Sequence, residues 1–205
     1  KATEKVVVSP PQKEMPLIRT SGRKVIVELK DSLRPNTTYT IDFADAIVDN
    51  NEKNVLENFS FAFSTGSIID TLQVSGILLN AENLEPVTGM LVGLHSNLND
   101  SAFTKTPFER IASSDARGYF SIQNVSPGTY RIYALKDLNR DYRFDNATED
   151  IAFTDVTVVP SVETVIRPDT IWTDSVTIDT IMMKQVVLYH PDNILLKSFN
   201  ENFKN

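Results

Sequence analysis

The chain has 205 residues, 41% of them hydrophobic and 23% charged, which is enough to bury the core of one large or two small domains. Its formal net charge is −7 and no stretch clusters Lys and Arg, which argues against a nucleic-acid partner. The absence of cysteine excludes disulfides, thiolate catalysis and cysteine-ligated metal centres. No apolar run reaches the roughly 20 residues that a membrane-spanning helix needs.

Short runs of alternating or β-branched side chains occur along most of the chain, each bounded by Pro, Gly, Asn or Asp. The runs are KVVVS (5–9), KVIVEL (24–29), TYTIDF (38–43), FSFAFST (59–65), LQVSGILL (72–79), MLVGL (90–94), GYFSIQNV (118–125), TYRIYAL (129–135), DVTVV (155–159) and MKQVVLYH (183–190). Such runs are typical of the strands of β-sandwiches, and no long amphipathic helical stripe is present. We therefore predict an all-β fold, in which residues 192–199 fit either a short helix or a strand.

Turn chemistry divides the chain. The stretch FSTGSIID at 63–70 ends one strand pattern, and a second break is predicted in the Thr- and Asp-rich stretch around Pro160 and Pro168. We predict a first module at 1–66, a second module at 68–160, and a linker and extension at 161–205 that belongs to a further module. The chain starts without Met, as expected of a processed or trimmed protein. A full sandwich of this kind needs about seven strands and the first module supplies about five, so this module is either reduced or short of preceding strands.

The first module carries two motifs. LRPNTTY at 33–39 ends on Tyr39, and a Tyr at this place in Ig-like sandwiches packs its ring in the core and hydrogen-bonds nearby backbone, as a tyrosine corner. FAFSTG follows at 61–66. Together these motifs resemble the bacterial Ig-like domain family of envelope proteins over about 24–66, which implies an Ig-like sandwich. The sequence departs from the family's usual Gly in the middle turn, where Lys53 stands.

The second module carries a longer pattern of turn and core residues. Asp115 and Gly118 predict one tight turn, and Pro127-Gly128 predicts another before Tyr130. The matching residues are Gly76, Pro86, Val87, Gly89, Val92, Asp115, Gly118, Phe120, Pro127, Gly128 and Tyr130. This pattern resembles the carboxypeptidase regulatory-like, or transthyretin-like, family over nearly all of 72–136. The resemblance implies a seven-stranded β-sandwich and no inherited active site, because the members are mostly non-catalytic modules.

The order of the two modules indicates a compartment. An Ig-like module followed by a transthyretin-like one resembles envelope lipoproteins of Bacteroides-type bacteria. Asp-Ser/Thr-apolar triplets begin at residues 31, 70, 100, 169, 174 and 179, and they look like the O-glycosylation motif of those organisms, although such triplets also recur by chance. We predict an extracytoplasmic protein of the cell envelope, periplasmic or on the outer membrane. Membrane attachment would come only from a lipid anchor upstream of this chain.

The stretch DLNRDYRFD contains the candidate metal ligands. Oxygen-bearing side chains occupy its positions 1, 3, 5 and 9: Asp137, Asn139, Asp141 and Asp145. This spacing suits calcium, but calcium loops carry Gly at position 6 and Glu at position 12, where this chain has Tyr142 and Thr148, with Glu149 one residue later. Arg140 and Arg143 also lie in the loop. Two interpretations stay open: a weak calcium site, or a polar turn whose carboxylates are neutralised by arginine.

No catalytic motif is present, and no other cofactor is implied. The two histidines, His95 and His190, have no companion ligands in the sequence, and both are predicted to be surface or strand-end residues. An enzyme would need a deep pocket in which acids or a histidine converge. We predict instead a non-catalytic structural or interaction module with a protein or glycan partner at the cell surface.

The alternative function is a glycan-binding accessory protein of a polysaccharide-utilisation system. Sugars stack on flat aromatic platforms, so this function needs exposed aromatic side chains. The candidates are Tyr142, Phe103, Phe108 and Trp172. Ligands of sandwich folds bind to the loops at their ends, which here are 81–89, 95–108 and 137–150.

Overall fold

The structure is a computed structural model, and it describes residues 6–44, 46–49, 52, 54–56, 59–172 and 178–200. These residues form strands in four sheets and one short helix, so the all-β prediction is confirmed. The elements are β1 (Val7–Ser9), β2 (Leu17–Ser21), β3 (Lys24–Glu28), β4 (Thr38–Asp42), β5 (Ser60–Ser64), β6 (Leu72–Asn80), β7 (Leu91–His95), α1 (Ala102–Lys105), β8 (Arg110–Ser113), β9 (Tyr119–Val125), β10 (Arg131–Leu135), β11 (Asp150–Phe153), β12 (Ser161–Trp172), β13 (Ile178–His190) and β14 (Ile194–Asn200).

The first module consists of a three-stranded antiparallel sheet, in the order β1-β4-β5, and the separate hairpin β2-β3. Alternation along β4 buries Tyr39 and Ile41 in a core that Phe43 completes, and Val27 of the hairpin packs against it. The Tyr39 hydroxyl accepts a hydrogen bond from the Arg34 backbone N–H at 2.8 Å. The tyrosine corner is therefore confirmed, whereas the turn at Lys53 lies outside the described residues.

A seven-stranded sheet follows, in the order β8-β7-β10-β11-β14-β6-β9. Ala112 of β8 and Phe120 of β9 stand at opposite ends of this order, yet both share one core with Leu196 of β14. The sheet therefore folds over itself around a common core. Close approach of β14 to β6 depends on Gly76, because a Cβ there would lie 2.0 Å from the carbonyl oxygen of Ile194.

The C-terminal part of the chain differs from the predicted division. The second module is predicted to end at 160, whereas β14 lies inside its sheet, antiparallel to β11 and parallel to β6. Leu196 and Ser198 are buried and alternate with exposed neighbours, which is the period of a strand, so residues 192–199 do not form a helix. The run DVTVV is not a strand, since only Val158 bridges, to Tyr130.

Strands β12 and β13 form a long antiparallel hairpin of their own. It covers most of the stretch predicted to be a break, up to Trp172, while residues 173–177 lie outside the described residues. Pro168 is tolerated in β12 because each strand of a two-stranded hairpin has a free edge, where a missing N–H removes no ladder hydrogen bond. At its base, the Pro191 carbonyl accepts a hydrogen bond from Ser75 of β6 at 3.0 Å.

The seven-stranded sheet is covered on its outer face as well. Along β10, Ile132 and Ala134 enter the common core, while Tyr133 and Leu135 point to a second apolar cluster. The segment that carries α1 supplies Phe103 and Phe108 to this second cluster. Gly93 makes room for the latter ring, because a Cβ there would stand 2.2 Å from its Cγ.

Buried polar contacts join the first module to the seven-stranded sheet. Arg110 of β8 donates a hydrogen bond to the Thr38 carbonyl of β4, and its Nη2 lies 3.6 Å from the Asp70 carboxylate. Burial lowers the pKa of Arg110, and the nearby Asp70 opposes that effect. Thr40 also donates a hydrogen bond to the Asn124 side chain at 2.9 Å. The two parts are therefore held in one arrangement by paired polar groups.

No helix in the described part of the chain is both long enough and apolar enough to cross a bilayer.

Candidate metal centre

The predicted metal ligands lie on the loop between β10 and β11, where local hydrogen bonds shape the backbone. The two carboxylate oxygens of Asp137 accept hydrogen bonds from the backbone N–H groups of Arg140, at 2.6 Å, and Tyr142, at 2.9 Å. Asn139 and Asp141 each accept one from the N–H two residues further on, at 3.2 and 3.1 Å. The loop is therefore a succession of turns closed by its own side chains.

The missing Gly at position 6 does not change the course of the loop. Tyr142 adopts the left-handed conformation, with φ of +63°, which Gly would adopt at a lower cost in free energy. Its ring packs against the second apolar cluster, and its carbonyl accepts a hydrogen bond from Phe108 N–H at 3.0 Å. Packing of the ring offsets the cost of the strained backbone.

One arginine pairs with two of the predicted ligands. Arg143 Nε lies 2.7 Å from Asp141 Oδ2, and its Nη2 lies 3.6 Å from Asp145 Oδ2. Asn139 donates a hydrogen bond to the other oxygen of Asp145 at 3.1 Å. Burial acts to raise the pKa of Asp141, but hydrogen bonds with Arg143 and Asp145 outweigh it, so that pKa is lowered. The pKa of Asp145 is raised by its hydrogen bond with Asp141 and, to a smaller extent, by burial.

Glu149 is a further acidic residue of this loop, and it is fully buried. Its Oε1 accepts a hydrogen bond from Leu138 N–H at 2.9 Å, whereas Oε2 is buried without a hydrogen-bond partner. Burial raises the pKa of Glu149, and Asp137, Asp145 and Asp141 raise it further. The sequence shows Glu149 one residue beyond the expected ligand position but gives no sign of its burial.

The structure thus brings the four predicted ligands together on one loop and adds a buried carboxylate. In the part of the chain that the structure describes, no three acidic or histidine side chains are already arranged to hold a metal ion. The calcium assignment stays a prediction on this geometry.

Three of the four aromatic side chains named for the glycan-binding alternative are described, and none of the three is fully exposed. Phe103 and Phe108 are buried, and Tyr142 is half-buried. Phe103 stacks on Tyr133 with ring centroids 4.4 Å apart, so this segment covers the sheet. The side chain of Trp172 lies outside the described residues.

The two histidines lie in different surroundings. His95 ends β7 as predicted, but it is buried, with its ring centroid 5.1 Å from that of Phe108 and 5.9 Å from that of Tyr133. Its Nε2 has no hydrogen-bond partner, and burial lowers its pKa, opposed by Glu109. His190 ends β13 and lies partly exposed at the base of the hairpin. A buried imidazole that packs against two aromatic rings and leaves Nε2 without a partner is a packing residue.

One comparison with known protein families agrees with the resemblance found for the first module. The family model described as the bacterial Ig-like domain matches residues 1–65. Among solved structures, the chain is similar to the T6 backbone pilin of serotype M6 Streptococcus pyogenes, a modular three-domain protein with variable loops and extensions. The identity is 14% and the TM-score 0.27, over 82% of this chain and 42% of the pilin chain. This chain therefore spans less than half the length of that pilin. No curated protein matches the chain significantly.

Proposed function

We propose that the protein is a non-catalytic structural or interaction module of a bacterial cell-surface protein, and that it presents the hairpin β12–β13 to another protein. In finer detail, the proposal is a cell-envelope lipoprotein whose lipid anchor lies upstream of this chain. The match of residues 1–65 to the bacterial Ig-like domain supports a bacterial surface location. The resemblance of the second module to transthyretin-like sandwiches supports a passive role.

The observation that carries the proposal is the uneven composition of the hairpin's two faces. Residues directly opposite each other in an antiparallel pair point to the same face. The register therefore places ten side chains without charge on one face, here called the uncharged face: Val162, Thr164, Ile166, Pro168, Thr170, Ile181, Met183, Gln185, Val187 and Tyr189. The opposite, charged face carries Glu163, Arg167, Asp169 and Lys184.

The uncharged face is open to solvent. Ile166 is 68% exposed, Met183 66% and Ile181 59%. A contiguous apolar patch of this kind on a folded protein marks a surface that binds another molecule. A two-stranded hairpin is also only marginally stable by itself in water, so a partner that covers one face would stabilise it. The uncharged and largely apolar surface suits a protein rather than a sugar.

The contacts at Arg110 support the idea of a scaffold. Because Arg110 joins β8 to the carbonyl of β4, the first module and the seven-stranded sheet are linked through buried groups rather than through an exposed linker alone. A rigid connection presents the hairpin in a defined direction relative to the first module.

Two adjacent methionines allow a matched test. Met183 lies on the uncharged face and Met182 on the charged face, with exposures of 66% and 57%. A photo-reactive amino acid at position 183 is expected to cross-link a protein from an envelope extract of the source bacterium, whereas the same group at 182 is not. Ile166→Lys, on the uncharged face, should abolish the cross-link. Equal yields at both positions, or none at either, would contradict the proposal.

A further inference from the structure

We propose that the loop between β10 and β11 binds a calcium ion through Asp137, Asn139, Asp141, Asp145 and Glu149. This site is independent of the hairpin and of the partner proposed for it.

The buried oxygen of Glu149 is the observation that points to a cation. A carboxylate removed from water is strongly destabilised unless a partner replaces the lost hydration. In Glu149 one oxygen has such a partner, Leu138 N–H, and the other is buried with none. The same loop between β10 and β11 carries the carboxylates of Asp137, Asp141 and Asp145. A divalent cation bound to this loop would satisfy the free oxygen of Glu149.

The basic side chains near the loop do not replace that cation. Arg143 pairs only with Asp141 and Asp145, and among the described residues neither Asp137 nor Glu149 has an ion-pair partner. The other cations of the loop point elsewhere. Lys136 lies 3.1 Å from the Asp150 carboxylate, and the guanidinium of Arg140 donates to the sulfur of Met15 at 2.6 Å.

Occupation of the site requires a local change. Arg143 must release Asp141 and Asp145, and its side chain, 43% exposed, can turn into solvent without a cavity being left behind. The Asp137 and Asn139 side chains are already held on the loop by backbone N–H groups. The released and held groups together supply carboxylate and amide oxygens.

The chemistry of these oxygens favours calcium over magnesium. Calcium accepts six to eight oxygens in flexible geometry, including bidentate carboxylates, whereas magnesium demands a near-ideal octahedron and gives up water reluctantly. A loop that must rearrange around its ion can provide the flexible coordination of calcium more easily than the near-ideal octahedron of magnesium.

The test uses the whole chain after dialysis against EDTA. Titration calorimetry with calcium chloride is expected to show one site, and calcium is expected to raise the midpoint of thermal unfolding more than magnesium does at equal concentration. Absence of both heat and midpoint shift at millimolar calcium, with the chain folded by circular dichroism, would overturn the proposal.

Substitutions assign the site to the loop. Glu149→Gln and Asp137→Asn are expected to weaken calcium binding about tenfold or more, as the loss of an ion's ligand or support does. Asp145→Asn, at an exposed position, gives the same test without a change in the buried part of the loop. Asp155→Asn removes an exposed carboxylate outside the loop and is the control. Unchanged affinity in all three loop variants, or an equal loss in the control, would place binding elsewhere.

Discussion

The seven-stranded sheet and the hairpin β12–β13 are both built from alternating side chains, but they differ in what covers them. At β10 the sheet is buried on both faces, with Ile132 on one side and Tyr133 on the other. The hairpin contacts β6 at its base, where Ser75 donates to the Pro191 carbonyl, and it exposes side chains on both faces, including Ile166 at 68%. Alternating side chains in the sequence therefore identify strands, whereas the burial of a strand depends on segments that are distant in the sequence. The same residue types stabilise the fold in the sheet and stay available for binding in the hairpin.

The largest effect on the free energy of unfolding is expected for a side-chain truncation inside the common core. Leu196 of β14 is fully buried among side chains from both ends of the sheet. Leu196→Ala should lower the free energy of unfolding by about 2–5 kcal/mol, because it removes apolar contacts and leaves a cavity. Urea unfolding followed by circular dichroism measures this loss. A loss as small as that of a surface substitution would show that β14 is not part of the sheet in solution.

A smaller effect is expected where the sheet meets the first module. Arg110→Ala leaves the Thr38 carbonyl and the Asp70 carboxylate without their partner, so we expect a loss of about 1–3 kcal/mol in urea unfolding. Arg117→Ala is the control, since the Arg117 side chain is 83% exposed. Equal stability of both variants would mean that the junction is open in solution and that the modules move independently.

Buried His95 should make stability depend on pH. Burial holds the pKa of His95 below its ordinary value of 6.5, so the unfolded chain binds the proton first. The contribution of neutral His95 to the free energy of unfolding is complete above the ordinary pKa of 6.5. It is lost as the pH falls from there through the lowered pKa of the folded chain. We expect His95→Phe to lose less stability than the natural chain between pH 7.5 and 5.5 in parallel urea titrations. Identical pH profiles for His95→Phe and the natural chain would refute the prediction.

The smallest effect is expected in the hairpin. Ile166→Ala should change the free energy of unfolding by less than about 0.5 kcal/mol, because the side chain is mostly exposed before the change. This variant is compared with Leu196→Ala in the same urea experiment. A loss similar to that of Leu196→Ala would show that the uncharged face is already covered in the isolated chain, for instance by a second copy.

Local patterns predicted the local structure well. The run LRPNTTY predicted the tyrosine corner at Tyr39, and GYFSIQNV and TYRIYAL predicted β9 and β10, because each depends on alternation and turn residues within a few positions. The loop residues Asp137 to Asp145 were also found from spacing alone, and the structure brings them onto one loop. Their role in binding calcium stays a prediction.

Features that depend on distant segments could not be predicted. One of the two partners of β14 is β6, which lies more than a hundred residues earlier, and no local pattern records that pairing. Phe103 and Phe108 stand in a polar stretch, so their burial depends on Gly93 and the outer face of the sheet. The run MKQVVLYH predicted part of β13, whereas β12 was missed because Pro168 normally argues against a strand.

The place of β14 between β6 and β11 also has a consequence for the order of assembly. Ile194 pairs beside Gly76, so two neighbouring strands of the sheet become available at very different times as the polypeptide emerges from a ribosome or a translocation channel. Until residues near 200 are free, the edges of β6 and β11 remain unpaired, and such edges readily bind other chains. The protein can therefore complete this sheet only after nearly all of the described chain has been released.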